Sequence, residues 1–207
     1  MLWLNAWPLD LLAPSSIVAG VPFDALVPVQ DRDHALGAAE PGLTLVEYGD
    51  FGCPFCFAAG RPVGQLLQRY DALSLVWRHF PDAELHPGAD LAAELSEFAA
   101  VRGKFWQAHS LLLAGRERFS IEDLVSVARR LDLDPEEAES ALRDRTYRDV
   151  VDEDMAGAKK AGVHATPTFF VGAERLEGHW RQLAQLVPAA LGKANAAGTA
   201  SSTPDGE

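Results

Sequence analysis

The segment EYGDFGCPFCFAAGRP holds both cysteines of the chain, Cys53 and Cys56, three residues apart. Two thiols at that spacing can trade a disulfide with another molecule, supply half of a metal site, or simply fill a core. A bridge between them would close a loop too small to stabilise the fold through unfolded-state entropy. Nor can two cysteines build the disulfide framework of a small secreted domain. A four-ligand zinc site usually draws a second Cys or His pair from close by. The six histidines (His34, His79, His86, His109, His164, His179) include no pair three to five residues apart. No metal or cofactor is therefore expected, and the arrangement is best suited to dithiol–disulfide exchange.

Cys53 stands where a strand and loop meet a helix start, with Pro54 suited to the first helical turn. Its sulfur would face the free N–H groups and positive end of that helix, which favour a thiolate. Cysteines so placed ionise at about 3.5–7.5 instead of about 8.5. Cys56 lies one turn further in and is expected to be the more buried. Residues three apart on a helix bring their Cβ atoms to about 5–6 Å, so a disulfide closes after a small adjustment. Cys53 is thus the sulfur that attacks or is attacked, and Cys56 the one that resolves the mixed disulfide.

Two more residues could take part. Glu47 precedes Cys53 by six positions inside an apolar strand, either at a solvent-facing strand end or buried beneath the cysteines. The buried alternative, which is favoured, raises its pKa and lets it relay the proton of Cys56. Pro167, in HATPTFFV, opens an apolar strand to whose ladder it cannot donate. A trans proline at a strand start is the commoner arrangement. A cis Thr166-Pro167 bond would instead turn the Thr166 backbone toward the cysteines and offer hydrogen bonds to an extended substrate.

The elements that must position these residues can be read from the pattern. Residues 1–33 form an irregular arm with a possible strand near Ala25 to Val29. LTLVEYG (Leu43–Gly49) and LSLVWRHF (Leu73–Phe80) read as buried strands. The helix between them carries a bend at Gly60, Pro62 and Gly64. Strand, helix, strand at this length favours parallel pairing, so residues 34–88 make a βαβ unit. Residues 89–162 are helical only, an inserted block. Within it Ser120 with Asp123, and Asp134 with Pro135 and Glu137, read as capping boxes. Residues 163–192 return to two strands about Gly172-Ala173 and a final helix kinked at Pro188. Residues 193–207 read as a disordered tail.

Taken together, LVEYGDFGCPFC, WRHFP, GKFWQAHSLL and GVHATPTFFVG resemble the DsbA-like branch of the thioredoxin superfamily, from about His34 to Leu191. The similarity is greatest to the soluble branch that includes thioredoxin domains appended to some sodium/proton antiporters. The resemblance implies an α/β thioredoxin fold, a central mixed sheet built as βαβ then ββα around an all-helical insertion. It implies dithiol–disulfide exchange with protein or peptide thiols and a redox recycling partner. By position it makes Cys53 the nucleophile, Cys56 the resolving cysteine, Glu47 the buried acid and Thr166-Pro167 the cis-proline loop. Thr166, Pro167, Pro54 and Phe55 are the residues expected to meet the substrate. Phe105, Trp106, His109 and His79 are expected to be structural. The strongest oxidants of the family have His where Phe55 stands; lacking that donor, this pair is expected to be less oxidising.

The bulk numbers exclude other classes. With 30 acidic and 18 basic side chains, the net charge of -12 disfavours nucleic-acid backbones and anionic membrane surfaces. No apolar run approaches the ~20 residues of a membrane-spanning helix. The first twenty residues are apolar but lack Lys and Arg, and Pro8, Asp10 and Pro14 interrupt them. A cytoplasmic location is expected on that basis, with export as the alternative.

Overall fold

The computed structural model describes residues 27–115, 119–172 and 174–200, the last seven by their backbone alone. Five strands, β1 (His34–Gly37), β2 (Leu43–Gly49), β3 (Leu73–His79), β4 (Thr168–Val171) and β5 (Glu174–Glu177), form one sheet in the order β1-β3-β2-β4-β5. The central pair β2 and β3 is parallel, with Leu43 opposite Leu73 and Gly49 opposite His79. The pairs β1–β3, β2–β4 and β4–β5 are antiparallel. Helix α1 (Pro54–Arg69) makes the crossover between the parallel strands, as a parallel connection requires. Five helices lie in the chain between β3 and β4: α2 (Ala89–Ala100), α3 (Phe105–Gly115), α4 (Ile121–Arg130), α5 (Pro135–Arg143) and α6 (Arg148–Lys160). Helix α7 (Leu183–Ala200) follows β5. This is the mixed α/β arrangement that the resemblance implied, βαβ and ββα around a helical insertion.

The sheet separates two cores. Along β2, Leu43 and Leu45 join the larger cluster, with α1, the insertion and α7, while Val46 and Tyr48 join a smaller one on the other face. That alternation is the period of two that a strand imposes. Helix α1 buries Cys56, Ala59, Gly60, Val63, Gly64, Leu66 and Leu67, which recur at helical spacing on one face. Trp77 on β3 lies so close over Gly49 that a Cβ there would meet its ring at 2.1 Å. On the opposite face Arg78 binds the arm: Nε and Nη2 donate to Asp33 at 2.9 and 2.6 Å, Nη2 to the Pro28 carbonyl and Nη1 to the Tyr48 hydroxyl.

Some local expectations are met and others corrected. The strand expected near Ala25 to Val29 falls partly outside the described residues, and Val27–Val29 is irregular; among the described residues the first strand is β1, where Trp106 Nε1 donates to the Ala35 carbonyl at 2.9 Å. Gly60, Pro62 and Gly64, where a bend was expected, all lie within one continuous helix, α1. Ser120 and Asp123 form the reciprocal capping box. Asp134 caps α5 by accepting from Glu136 and Glu137, but Glu137 turns its carboxylate to Arg102 at 2.7 Å instead of back to the cap. The hairpin turns at Gly172, whose φ of 67° is the left-handed region glycine favours; Ala173 lies outside the described residues. Helix α7 contains Pro188 and continues to Ala200, past the point where a disordered tail was expected, while residues 201–207 lie outside the described residues.

Candidate active site

The end of β2 and the start of α1 bring the cysteines to one place. Cys53 is the N-cap of α1, with extended backbone (φ -77°, ψ 119°), and Pro54 opens the helix. The Cys53 N–H donates to the Asp50 carbonyl at 3.1 Å, closing the turn between strand and helix. Both cysteines are free thiols, and Cys56 is fully buried. The Cys53 thiol donates to the Thr166 carbonyl at 3.4 Å. The Thr166-Pro167 peptide is cis and leads into β4. Residues 113 positions apart in the chain are therefore in contact through a sulfur.

The two sulfurs are electrostatically unlike. The Cys53 pKa is lowered to about 6, first because the Cys56 thiol hydrogen-bonds to it. The Thr166 side chain and the N–H groups of Cys56 and Phe55 add to this and outweigh the opposing effect of burial. Cys56 is pushed well up, by burial first and then by its bond to Cys53 and the nearby Glu47 charge. The Asp50 N–H, which donates to the Cys56 sulfur at 3.4 Å, pulls the other way. Helix position thus biases two identical side chains in opposite directions, one toward thiolate and one toward thiol.

Glu47 is buried, and strand alternation puts it on the face of Leu43 and Leu45, the side of the cysteines. Its Oε1 has no hydrogen-bond partner among the described residues. Burial, and then the charge of Cys53, raise its pKa well above the ordinary carboxylate value. Phe55 stands 62% exposed, so its ring is open to solvent and only its N–H acts on the thiolate. Pro54 is exposed as well. Sequence reasoning thus selected residues that the fold gathers at one end of the sheet.

It missed the ring of polar contacts beneath them. Asp50 is 1% exposed. Its Oδ1 accepts from the Gly52 N–H at 2.7 Å, and its Oδ2 from the Asp82 N–H at 2.9 Å and from His86 Nδ1 at 2.7 Å. Gly52 lies against His86 so closely that a Cβ would meet the His86 Cβ at 2.5 Å. An aspartate three residues before a cysteine, with glycine two positions on, reads locally as a turn; only the fold shows its bonds to Asp82 and His86.

A second buried group lies behind the site. His79 Nδ1 accepts from Trp77 Nε1 at 3.2 Å, which leaves Nε2–H to donate to Glu97 at 2.9 Å. His34 Nε2 reaches the same Glu97 oxygen at 2.8 Å. Their two hydrogen bonds hold the carboxyl at about 2 despite burial. Trp77 packs edge-on to His109 with ring centroids 4.4 Å apart, and Phe51 stacks on Trp77 at 5.2 Å. Burial lowers the His109 pKa to about 3, helped by His79 and His34. His79, His109, Phe105 and Trp106 are thus packing and hydrogen-bonding residues, as expected. Among the described residues no group of three or more His, Cys, Asp or Glu could hold a metal ion, and no helix is long and apolar enough to cross a membrane.

The family model described as Thioredoxin matches residues 30–187. A Na(+)/H(+) antiporter NhaA 3 of Salinispora tropica is 44% identical over 156 residues, 75% of this chain and 24% of that protein. The chain spans about a quarter of the length of the curated relatives it matches. The crystal structure of oxidised BdbD from Bacillus subtilis superposes with a TM-score of 0.73 at 21% identity, over 82% of this chain and 98% of that one. A thioredoxin-like oxidoreductase from Silicibacter pomeroyi DSS-3 superposes with a TM-score of 0.70 at 28% identity, over 78% and 93%.

Proposed function

The chain belongs to the thioredoxin family, and from that premise we propose that it is a DsbA-like thiol:disulfide oxidoreductase acting on protein or peptide substrates. The observation that carries this reading is the asymmetry of the pair: Cys53 ionises near 6 at a helix start, 3.4 Å from the Thr166 carbonyl, while Cys56 holds its proton.

In the reduced chain the Cys53 thiolate attacks one sulfur of a client disulfide. A Cys53–client bond forms, the client bond breaks, and the first client thiolate leaves and takes up a proton from water. Cys56 then gives its proton to the Glu47 carboxylate, and its thiolate attacks Cys53. The Cys53–Cys56 bond forms, the second client thiolate leaves, and the client is reduced as the chain is oxidised. Run backwards, the same steps oxidise a client dithiol. Thr166, Pro167, Pro54 and Phe55 border Cys53 and meet the client segment. A redox partner outside this chain resets the pair.

Nothing in the comparisons supports the cytoplasmic location expected from the first twenty residues; an extracytoplasmic one is the alternative. Compartment sets direction, since an oxidising pool drives client disulfides to form and a reducing pool drives them to break. An insulin-reduction assay tests the function, with Cys53→Ser as control. Activity in the wild type and its loss in the variant are expected; equal activity in both ends the reading.

A second reading rests on the antiporter names of the relatives, of which this chain would be one part. It makes the chain a redox-sensing or docking module with one constant partner. A Cys56→Ser variant, which cannot resolve its mixed disulfides, separates the two. Many trapped clients fit the enzyme, and a single partner fits the module.

A further inference from the structure

We propose that Asp50 and His86 form a positioning pair that sets how fast Cys56 resolves the mixed disulfide, without setting the reactivity of Cys53. The inference deepens the function proposed above and rests on it.

Asp50 meets the redox site through its backbone. Its N–H donates to the Cys56 sulfur, and its carbonyl accepts from the Cys53 N–H. Both contacts depend on how this one residue is oriented, and its side chain fixes that orientation. Three donors converge on the carboxylate: Gly52 N–H in the same turn, and Asp82 N–H and His86 Nδ1 in the loop after β3. Two of the three come from a segment more than thirty residues away. The loop after β3 therefore acts on the cysteines through a single buried carboxylate.

The effect falls unequally on the two sulfurs. Cys53 has donors of its own in Cys56, Thr166 and the first N–H groups of α1. Cys56 faces burial, the Cys53 sulfur and the Glu47 carboxylate, all opposing its thiolate, and the Asp50 N–H is the group that favours it. A hydrogen bond to a developing thiolate in a buried site strengthens as charge appears there. Loosening Asp50 should thus slow the step in which Cys56 becomes a thiolate and leave the first attack by Cys53 nearly untouched. His86 is the member of the ring that can be altered most cleanly, because its hydrogen bond goes to Asp50 and not to either sulfur; its packing on Gly52 is the other contact, which the Asn variant separates from the hydrogen bond. It is a positioning residue, not a catalytic one.

The test uses the reduced full chain and oxidised glutathione, whose mixed disulfide with Cys53 can be followed by rapid acid quench and mass spectrometry. This reads the chain's own sulfur chemistry. Failure of the proposed function would appear separately, as absence of insulin reduction with glutathione exchange intact. His86→Ala is expected to lengthen the lifetime of the mixed disulfide about three- to tenfold, the loss of one hydrogen bond, with the rate of its formation within about twofold. His86→Asn, which can still donate to Asp50, should restore most of the resolution rate. Three results overturn the proposal: a resolution rate unchanged in His86→Ala, equal slowing of both steps, or an Asn variant no better than Ala. Thermal melts of both variants accompany the kinetics. If His86→Ala is destabilised and His86→Asn equally so, rescue by Asn alone still supports positioning, and its absence refutes it.

Discussion

At the residue scale the site is an exercise in placing one charge and suppressing another. Cys53 gains four donors, three from the start of α1 and one from Thr166, whereas Glu47 sits on the core face of β2 with an oxygen that has no hydrogen-bond partner among the described residues. A buried carboxyl whose folded pKa is raised binds its proton more tightly folded than unfolded. The stability it contributes is full below the unfolded value of 4.5 and is lost as pH rises toward the folded value. Glu47→Gln removes that titration. With the cysteines oxidised so that no thiol contributes, urea unfolding should show wild type losing up to about 1.4 kcal/mol per pH unit more than the variant as pH rises above 4.5. Parallel stability curves would show that the burial of Glu47 has no thermodynamic cost.

At the element scale, position along a strand matters as much as chemistry. Gly49 ends β2 beneath the Trp77 ring, with no room for a methyl group. Gly49→Ala must move Trp77, which is stacked on Phe51 and set edge-on to His109, and should destabilise the protein by about 1–3 kcal/mol. Chemical denaturation measures this, and near-ultraviolet circular dichroism should report the altered Trp77 packing. The strands and helices around the cysteines were legible because their apolar residues recur at clean periods. LTLVEYG is β2 to the residue, and LSLVWRHF runs one residue past the end of β3. What escaped was short or depended on distant partners. HALG has only four residues and no alternation to speak of, and it becomes β1 by pairing with a strand forty residues on. Asp50 and His86 look like turn residues until β3 brings them together. Helix α1 tolerates Pro62 because tertiary packing of its buried face overrides local propensity.

At the scale of the whole molecule, buried charges join parts that the chain keeps apart. The Arg78–Asp33 pair is almost wholly removed from water and fastens the arm to β3 on the face opposite the cysteines. Asp33 raises the Arg78 pKa although burial opposes it. Asp33→Ala would leave a guanidinium buried without its partner, a loss of about 3–5 kcal/mol, whereas replacing both residues by apolar ones should cost far less. Denaturant unfolding of the single and double variants checks this, and equal losses would show that the arm is held by something else. Because Arg78 and the cysteines lie on opposite faces of the sheet, the single variant should unfold earlier while its remaining folded fraction keeps the Cys53 thiolate near pH 6.

The low pKa of Cys53 also has an electrochemical consequence. While both sulfurs are protonated, reducing the disulfide takes up two protons with two electrons, and the midpoint potential falls by about 59 mV per pH unit. Once Cys53 is ionised the count drops to one proton, and the slope halves to about 30 mV per pH unit. A plot of potential against pH should therefore bend near pH 6, so that at neutral pH the driving force of this couple depends only weakly on acidity.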